Sequence, residues 1–320
     1  MTSPIVVYAL NIKGKGALQV LRSFIHAAYN GGLVLELHIS KSGYEALGPK
    51  RYEDLKYIIY NNDIFTRVYY QIFFGLLHFR KKIFVFGDIP ILFKSQFLLI
   101  QNRLYFDPRF KSFKSFLGRV FLKASMHWVK TIFVQTEAMK SVVRLSYNNK
   151  ILVCSHPSGR QQLDRSIIDV SGNDNLVIAL TSAYKHKNNE LLKEMRSEHD
   201  TMLYITLDNA PRYLQENIIY IGSIGEETVS KFYAENPIIL VTSYLESYSL
   251  PLVEASELGL RFVCPDEDYS EHFQSPNMFV YEQDNAESLN SALAKAMNHN
   301  VIRQKFEYHW STLLEYFCHE

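Results

Sequence analysis

Short unbroken apolar runs alternate along this chain with segments whose apolar residues recur every three or four positions. Ile5 to Leu10 is continuous and apolar, the pattern of a strand buried on both faces. After a loop from Asn11 to Gly16, the segment from Ala17 to Asn30 has helical spacing through Leu18, Leu21, Phe24, Ile25 and Ala28. Gly31-Gly32 ends it, and Leu33 to Ile39 is the next strand, so the chain opens with a βαβ unit. Residues 51–80, rich in Tyr and Phe, are expected to form one or two helices. Further strands are expected at Ile83 to Phe86, Phe97 to Ile100, Ile132 to Thr136 and Ile151 to Cys154. Residues 109–130 read as an amphipathic helix with Phe110, Phe113, Leu117, Val120, Phe121 and Ala124 on one face and Lys111, Lys114, Arg119 and Lys123 around its borders.

The stretch 156–175 is polar and carries Pro157, Gly159 and Gly172, as a linker does. Strand patterns resume at Leu176 to Leu180, Met202 to Ile205, Ile218 to Ile221, Ile238 to Val241 and Phe262 to Pro265. A helix is expected from Leu250 to about Glu257, stopped by Gly259, and residues 286–317 read as helical. The alternation predicts an α/β protein of two Rossmann-like domains with parallel sheets. The expected boundaries are 1–155, a linker 156–175, a second domain 176–300, and a closing segment 301–320.

Composition narrows this picture. A chain of 320 residues suits two domains, and 47% hydrophobic residues argue against global disorder. A net charge of +1 gives no reason to expect nucleic acid as a partner. Three widely spaced cysteines, Cys154, Cys264 and Cys318, point to a reducing compartment, so a cytoplasmic location is expected. Ile5 to Leu10 is too short for the apolar region of a signal peptide.

The most informative stretch runs from Thr242 to Glu254. The strand-like Ile238 to Val241 leads through a loop into a helix at Leu250-Pro251, with Ser249 as the expected N-cap. Free N–H groups in such a first turn seat a phosphate or diphosphate. Glu246 in the loop and Glu254 in the helix add hydroxyl-binding carboxylates. Solvated glutamates flanking a capped helix are the structural alternative.

The Glu-x7-Glu block Glu246-Ser247-Tyr248-Ser249-Leu250-Pro251 resembles the signature of retaining GT-B glycosyltransferases of family 4, with Ser-Tyr-Ser where Gly-Phe-Gly is usual. That resemblance implies the GT-B fold, two Rossmann-like domains facing across a cleft. It also implies a nucleoside-diphosphate sugar as donor, no metal and no other cofactor. It places Glu246 on the donor sugar, Glu254 on the ribose, and Ser247, Tyr248, Ser249 and Leu250 around the diphosphate. A second block, Thr181 to Leu191, follows a strand and is expected to open a helix. Its Lys187 matches the family's phosphate-binding lysine, while Ser182 stands where an arginine is usual and Lys185 is a nearby cation. Glu246 and Lys187 are the expected catalytic pair.

In the first half, Gly14-x-Gly16-x-x-Gln19 falls short of a dinucleotide fingerprint. Gln19 replaces the third glycine, and Glu36 lies inside a strand instead of at its end. Gly16 is carried over from the resemblance as a donor-side residue. Asp88, Gln101 and Asn102, at strand ends, are candidates for holding an acceptor, although Asp88 before Ile89-Pro90 also fits a plain turn. Asp266-Glu267-Asp268 has the form of a metal–diphosphate motif, but its ligand set is incomplete and its place in the chain is wrong for one. The expected acceptor is a glycan, lipid-linked, in bacterial surface-polysaccharide assembly such as O-antigen or capsule; residues 109–130 fit either peripheral inner-membrane contact or a core-packed helix with a solvated basic edge. The alternatives are a nucleotide-sugar epimerase of the same fold, and a non-catalytic nucleotide-sugar or membrane-binding subunit.

Overall fold

The computed structural model describes residues 4–12, 14–48, 55–107, 113–160, 175–195, 201–208, 217–302, 304 and 306–319. Two compact units emerge: residues 1–159 together with 308–320, and residues 160–307. Most of the expected linker, and residues 109–112 of the expected amphipathic helix, lie outside the described residues.

The first unit is built from β1 (Ile5–Ala9), α1 (Lys15–Asn30), β2 (Leu35–Ser40), α2 (Lys41–Leu47), β3 (Lys56–Tyr60), α3 (Ile64–Leu77), β4 (Lys82–Phe86), β5 (Gln96–Leu99), α4 (Phe113–Ser125), β6 (Val129–Val134), α5 (Glu137–Arg144) and β7 (Lys150–Val153). Its sheet has the order β3-β2-β1-β4-β5-β6-β7, and every pair is parallel. β1 and β4 are buried along nearly their whole length, which is why they read as continuous apolar runs.

The second unit is built from β8 (Leu176–Ala179), β9 (Met202–Ile205), β10 (Ile218–Tyr220), α6 (Glu226–Ala234), β11 (Ile238–Leu240), α7 (Leu250–Leu258), β12 (Phe262–Pro265), β13 (Met278–Tyr281) and α8 (Ala286–Met297). Its order, β10-β9-β8-β11-β12-β13, is also all parallel. In both sheets the first strand is central and the order reverses beside it, between β1 and β4 and between β8 and β11. Such reversal points open a crevice at the carboxyl ends of the strands, the usual ligand place in α/β sheets.

α9 (Ser311–His319) returns to the first unit. Phe317 packs against Phe84, Phe97 and Phe133. Just before it, the buried Trp310 donates its indole N–H to Ser23 Oγ (2.9 Å) and stacks on His156 with ring centroids 4.5 Å apart.

Three expectations need correction. Lys56 to Tyr60 is a strand, not helix: Tyr and Ile dominate it, and Asp63 then caps α3 by accepting the Thr66 N–H at 2.7 Å. Thr181 to Leu191 opens no α-helix; Lys185–Lys187 and Leu191–Lys193 are single 3-10 turns separated by Asn188 at φ 48°. Residues 286–317 form two helices, α8 and α9, not one.

The amphipathic face expected of residues 109–130 is also rearranged. Leu122 and Ser125 are buried, whereas Val120 and Ala124 are exposed. Arg119 turns inward and donates to the carbonyls of Leu104, Tyr105 and Asp107. No described helix is long and apolar enough to cross a membrane.

Candidate active site at the reversal point of the second sheet

Lys187 follows β8 and Glu246 follows β11, the two strands that flank the reversal of the second sheet. They are 59 residues apart in sequence, and Lys187 Nζ lies 2.5 Å from Glu246 Oε1. Both side chains are largely but not fully buried, at 20% and 12% exposure, so the pair still meets solvent. Backbone contacts hold the two loops together. Thr242 Oγ1 donates to the Lys187 carbonyl at 2.8 Å, and the Tyr244 N–H donates to the His186 carbonyl at 2.8 Å. Asn188 Nδ2 donates to Asp284 Oδ1 at 3.0 Å, tying the turn to the end of β13. Burial, with Lys187 alongside, lowers the His186 pKa and favours the neutral ring.

Three residues beyond Glu246, Ser249 takes the N-cap position of α7 with extended backbone (φ −69°, ψ 100°). Its hydroxyl does not cap, and the reason is local. A cap side chain bonds the N–H of the second or third helical residue. The second is Pro251, which has none, and the N–H of Leu252 goes to the Ser249 carbonyl at 3.0 Å. The Ser249 hydroxyl is buried with no protein partner, so a polar donor and acceptor sits idle at this helix start. Gly259, at φ 72°, closes α7 in the left-handed conformation its missing Cβ permits.

Glu254 was expected at the donor ribose. It is 1% exposed, and both its oxygens are engaged: Oε1 with Arg160 Nε at 2.9 Å, Oε2 with the Tyr233 hydroxyl at 2.5 Å. Here it anchors α7 to Arg160 and to α6 instead of facing solvent. Burial, then the adjacent carboxylate, pushes the Tyr233 hydroxyl well above its ordinary pKa, so it stays a donor. Neither Arg160 nor Tyr233 has any sequence signal; they lie 94 and 21 residues from Glu254.

Ser182 lines a cavity of about 450 Å³ at the carboxyl ends of β8, β9 and β10, together with Asn189, Lys193, Thr206, Asp208 and Tyr220. Its floor is built from polar side chains on backbone. Thr206 Oγ1 accepts the Thr181 N–H at 2.8 Å, and Asn189 Nδ2 donates to the Ser182 carbonyl at 2.8 Å. Lys185 lies in the same 3-10 turn as Lys187. Ser247 is half-buried, Tyr248 is buried against Phe273 and Leu250 is half-buried at the first position of α7.

The first-unit candidates lie at that unit's own reversal point. Gly16 is in the first turn of α1, after β1, and Asp88 follows β4. Asp88 Oδ1 accepts the backbone N–H groups of Gln101 at 2.7 Å and Asn102 at 2.9 Å, so it closes the end of β5. Asn102 in turn accepts the Leu104 N–H at 3.0 Å. Burial raises the Asp88 carboxyl from 3.8 to about 6, against the opposing pull of those two amides. The folded state therefore holds this proton more tightly, and stability falls as pH rises from 3.8 to about 6. Asp88→Asn keeps the accepting oxygen without the charge. Its melting temperature should gain on the wild type across that window and keep the gain above it; a pH-independent difference would show that the carboxyl is not the cause.

Among the described residues, Glu36, His38 and His78 are the cluster whose ligand-type atoms fall within 4.8 Å of one another. Its carboxylate is already more than neutralised: Lys56 Nζ and Lys81 Nζ sit 2.7 and 2.8 Å from Glu36, and His38 Nε2 is 2.9 Å from it. Two ammonium groups on that carboxylate disfavour an added cation, and they also remove Glu36 from any ribose.

No curated protein matches the chain's sequence significantly. Residues 210–309 match the family described as glycosyl transferases group 1. Similar solved structures include sucrose-phosphate synthase from Thermosynechococcus elongatus (11% identity, TM-score 0.66, covering 99% of this chain and 98% of that one). They also include Anabaena HepE in complex with UDP and glucose (11%, 0.64, 92% and 90%) and WaaG, a glycosyltransferase involved in lipopolysaccharide biosynthesis (16%, 0.63, 92% and 90%). The chain thus has the GT-B fold, with a glycosyl transferases group 1 segment over residues 210–309 that includes Glu246, the α7 start and Glu254.

Proposed function

We propose that this protein is a glycosyltransferase of the retaining, family 4 type. It would move a sugar from a nucleoside diphosphate to a glycan acceptor, lipid-linked, in surface-polysaccharide assembly. The observation that carries the reading is the Lys187–Glu246 pair at the sheet reversal, at the entrance to α7. A diphosphate competes with Glu246 for the Lys187 ammonium and takes the Ser249 and Leu250 amides at the start of α7, with the idle Ser249 hydroxyl beside them. Glu246, released from the lysine, accepts hydroxyls of the donor sugar. As the glycosidic bond breaks, charge grows on the departing diphosphate, and in this reading Lys187 and the α7 N-terminus would stabilise it. These groups supply the positive charge without a metal. Glu254 keeps α7 in place, and the neighbouring cavity of about 450 Å³ gives the donor's nucleoside room.

The experiment follows nucleoside diphosphate release from UDP-, ADP- and GDP-sugars, with and without a bacterial lipid-linked glycan extract. Release that requires the extract, is unaffected by EDTA, and yields a product with the donor's anomeric configuration is expected. Donor isomerised without acceptor would replace the reading with epimerisation. Binding without turnover in any combination would replace it with a non-catalytic subunit.

A further inference from the structure

Helix α3 is turned inside out. Counting from Phe65, the positions i+3, i+4, i+7, i+8 and i+11 are Val68, Tyr69, Ile72, Phe73 and Leu76, a continuous apolar stripe. A helix covering a sheet normally turns such a stripe inward. Here Phe65 is 83% exposed, Val68 52%, Tyr69 50%, Phe73 41% and Leu76 52%.

The opposite face packs inward and is partly polar. Gln71 accepts from Asn11 Nδ2 at 2.8 Å and donates to the Pro90 carbonyl at 2.5 Å. Gly75 lies so close to the following loop that a Cβ there would stand 2.2 Å from the Leu92 carbonyl oxygen. This contact admits glycine alone and seats the opposite face of α3 against the loop. The loop it touches adds Phe93, 48% exposed, and Lys94 Nζ bonds the Phe79 carbonyl at 2.6 Å.

The charge beyond the carboxyl end of α3 is mainly positive, while Asp63 caps its amino end and Lys81 is held on Glu36. Between Asp63 and Asp88 there is no acidic residue, while Arg67, Arg80, Lys81 and Lys82 lie in that span. Arg80 is exposed, with its guanidinium 5.2 Å from the centre of the Phe79 ring. An apolar stripe ended by cations suits an anionic bilayer surface, where rings enter the acyl boundary and cations meet phosphates.

We propose that α3, with Phe79, Arg80 and Phe93, docks the first unit on an anionic lipid surface, in place of the contact expected through 109–130. This does not rest on the glycosyl-transfer reading, because it is measured without any sugar. The test is co-sedimentation with vesicles of phosphatidylcholine alone and with about one-third phosphatidylglycerol. Wild type should sediment with the anionic vesicles and far less with the neutral ones. Phe65→Ser/Phe73→Ser should lose about tenfold in affinity with an unchanged melting temperature, since both rings already face water. Arg80→Glu should weaken anionic-vesicle binding alone, and Phe116→Ser on α4 should leave binding unchanged. Equal binding to both vesicle types, binding to neither, or insensitivity to the Phe65/Phe73 pair overturns the proposal. So does a concentration-dependent dimer that those two substitutions abolish.

Discussion

Lys187→Ala is expected to cut donor turnover by about 10²–10³-fold, the range seen when one preorganised transition-state donor is removed. The ammonium is the cation held on Glu246 at the sheet reversal, and its loop is bonded through backbone to the loop that starts α7. Removing it takes away charge that matters most when the diphosphate departs, so kcat should fall more than KM rises. Stability should change little. Glu246 remains 12% exposed, so its carboxylate can regain solvent more readily than one in a fully buried pair. Glu246→Gln, which keeps shape and loses the charge, should instead weaken the hold on the donor sugar. Wild-type kcat in Lys187→Ala, measured on protein with an unaltered melting curve, would remove the site from consideration.

Arg160→Ala should have the largest effect on stability, about 3–5 kcal/mol, as for other buried pairs that lose one partner. Arg160 and Glu254 are 9% and 2% exposed, and the Tyr233 hydroxyl also contacts Glu254. The truncation leaves a buried carboxylate without its guanidinium partner. The loss should fall on the second unit, where all three residues lie. Glu254→Gln in the Arg160→Ala background should recover part of it, since a neutral amide tolerates the site better. A double-mutant cycle in urea reads the coupling. Additive losses would mean that the pair contributes nothing specific.

Much of the fold was legible along the chain. Met202–Ile205 and Phe262–Pro265 were read with their observed boundaries, the latter because a strand buried throughout shows as an unbroken apolar run, the former although Met202 and Tyr204 are only half-buried. α7 was bounded correctly to within one residue, because Pro251 and Gly259 punctuate it chemically. Lys56 to Tyr60 was misread because an aromatic-rich run beside a helix has no period of its own, and its place at the sheet edge is set by pairing with β2. The face of α3 was illegible for a related reason. Periodicity locates an apolar stripe but not its direction, and here the inward packing of Gln71, Phe74 and Gly75 goes with the outward stripe.

Residue order alone was enough to specify two parallel α/β domains, the strand–loop–helix carrying Glu246 and Ser249, and a lysine block some sixty positions earlier, because each is encoded in neighbouring residues. Tertiary structure decided the rest. It set Lys187 against Glu246, filled Glu254 with Arg160 and Tyr233, and turned Arg119 inward and α3 outward. Those outcomes depend on which distant loop ends share a sheet reversal and which side chain reaches a buried charge first. Such meetings are settled by packing and electrostatics in three dimensions, and no local pattern carries them.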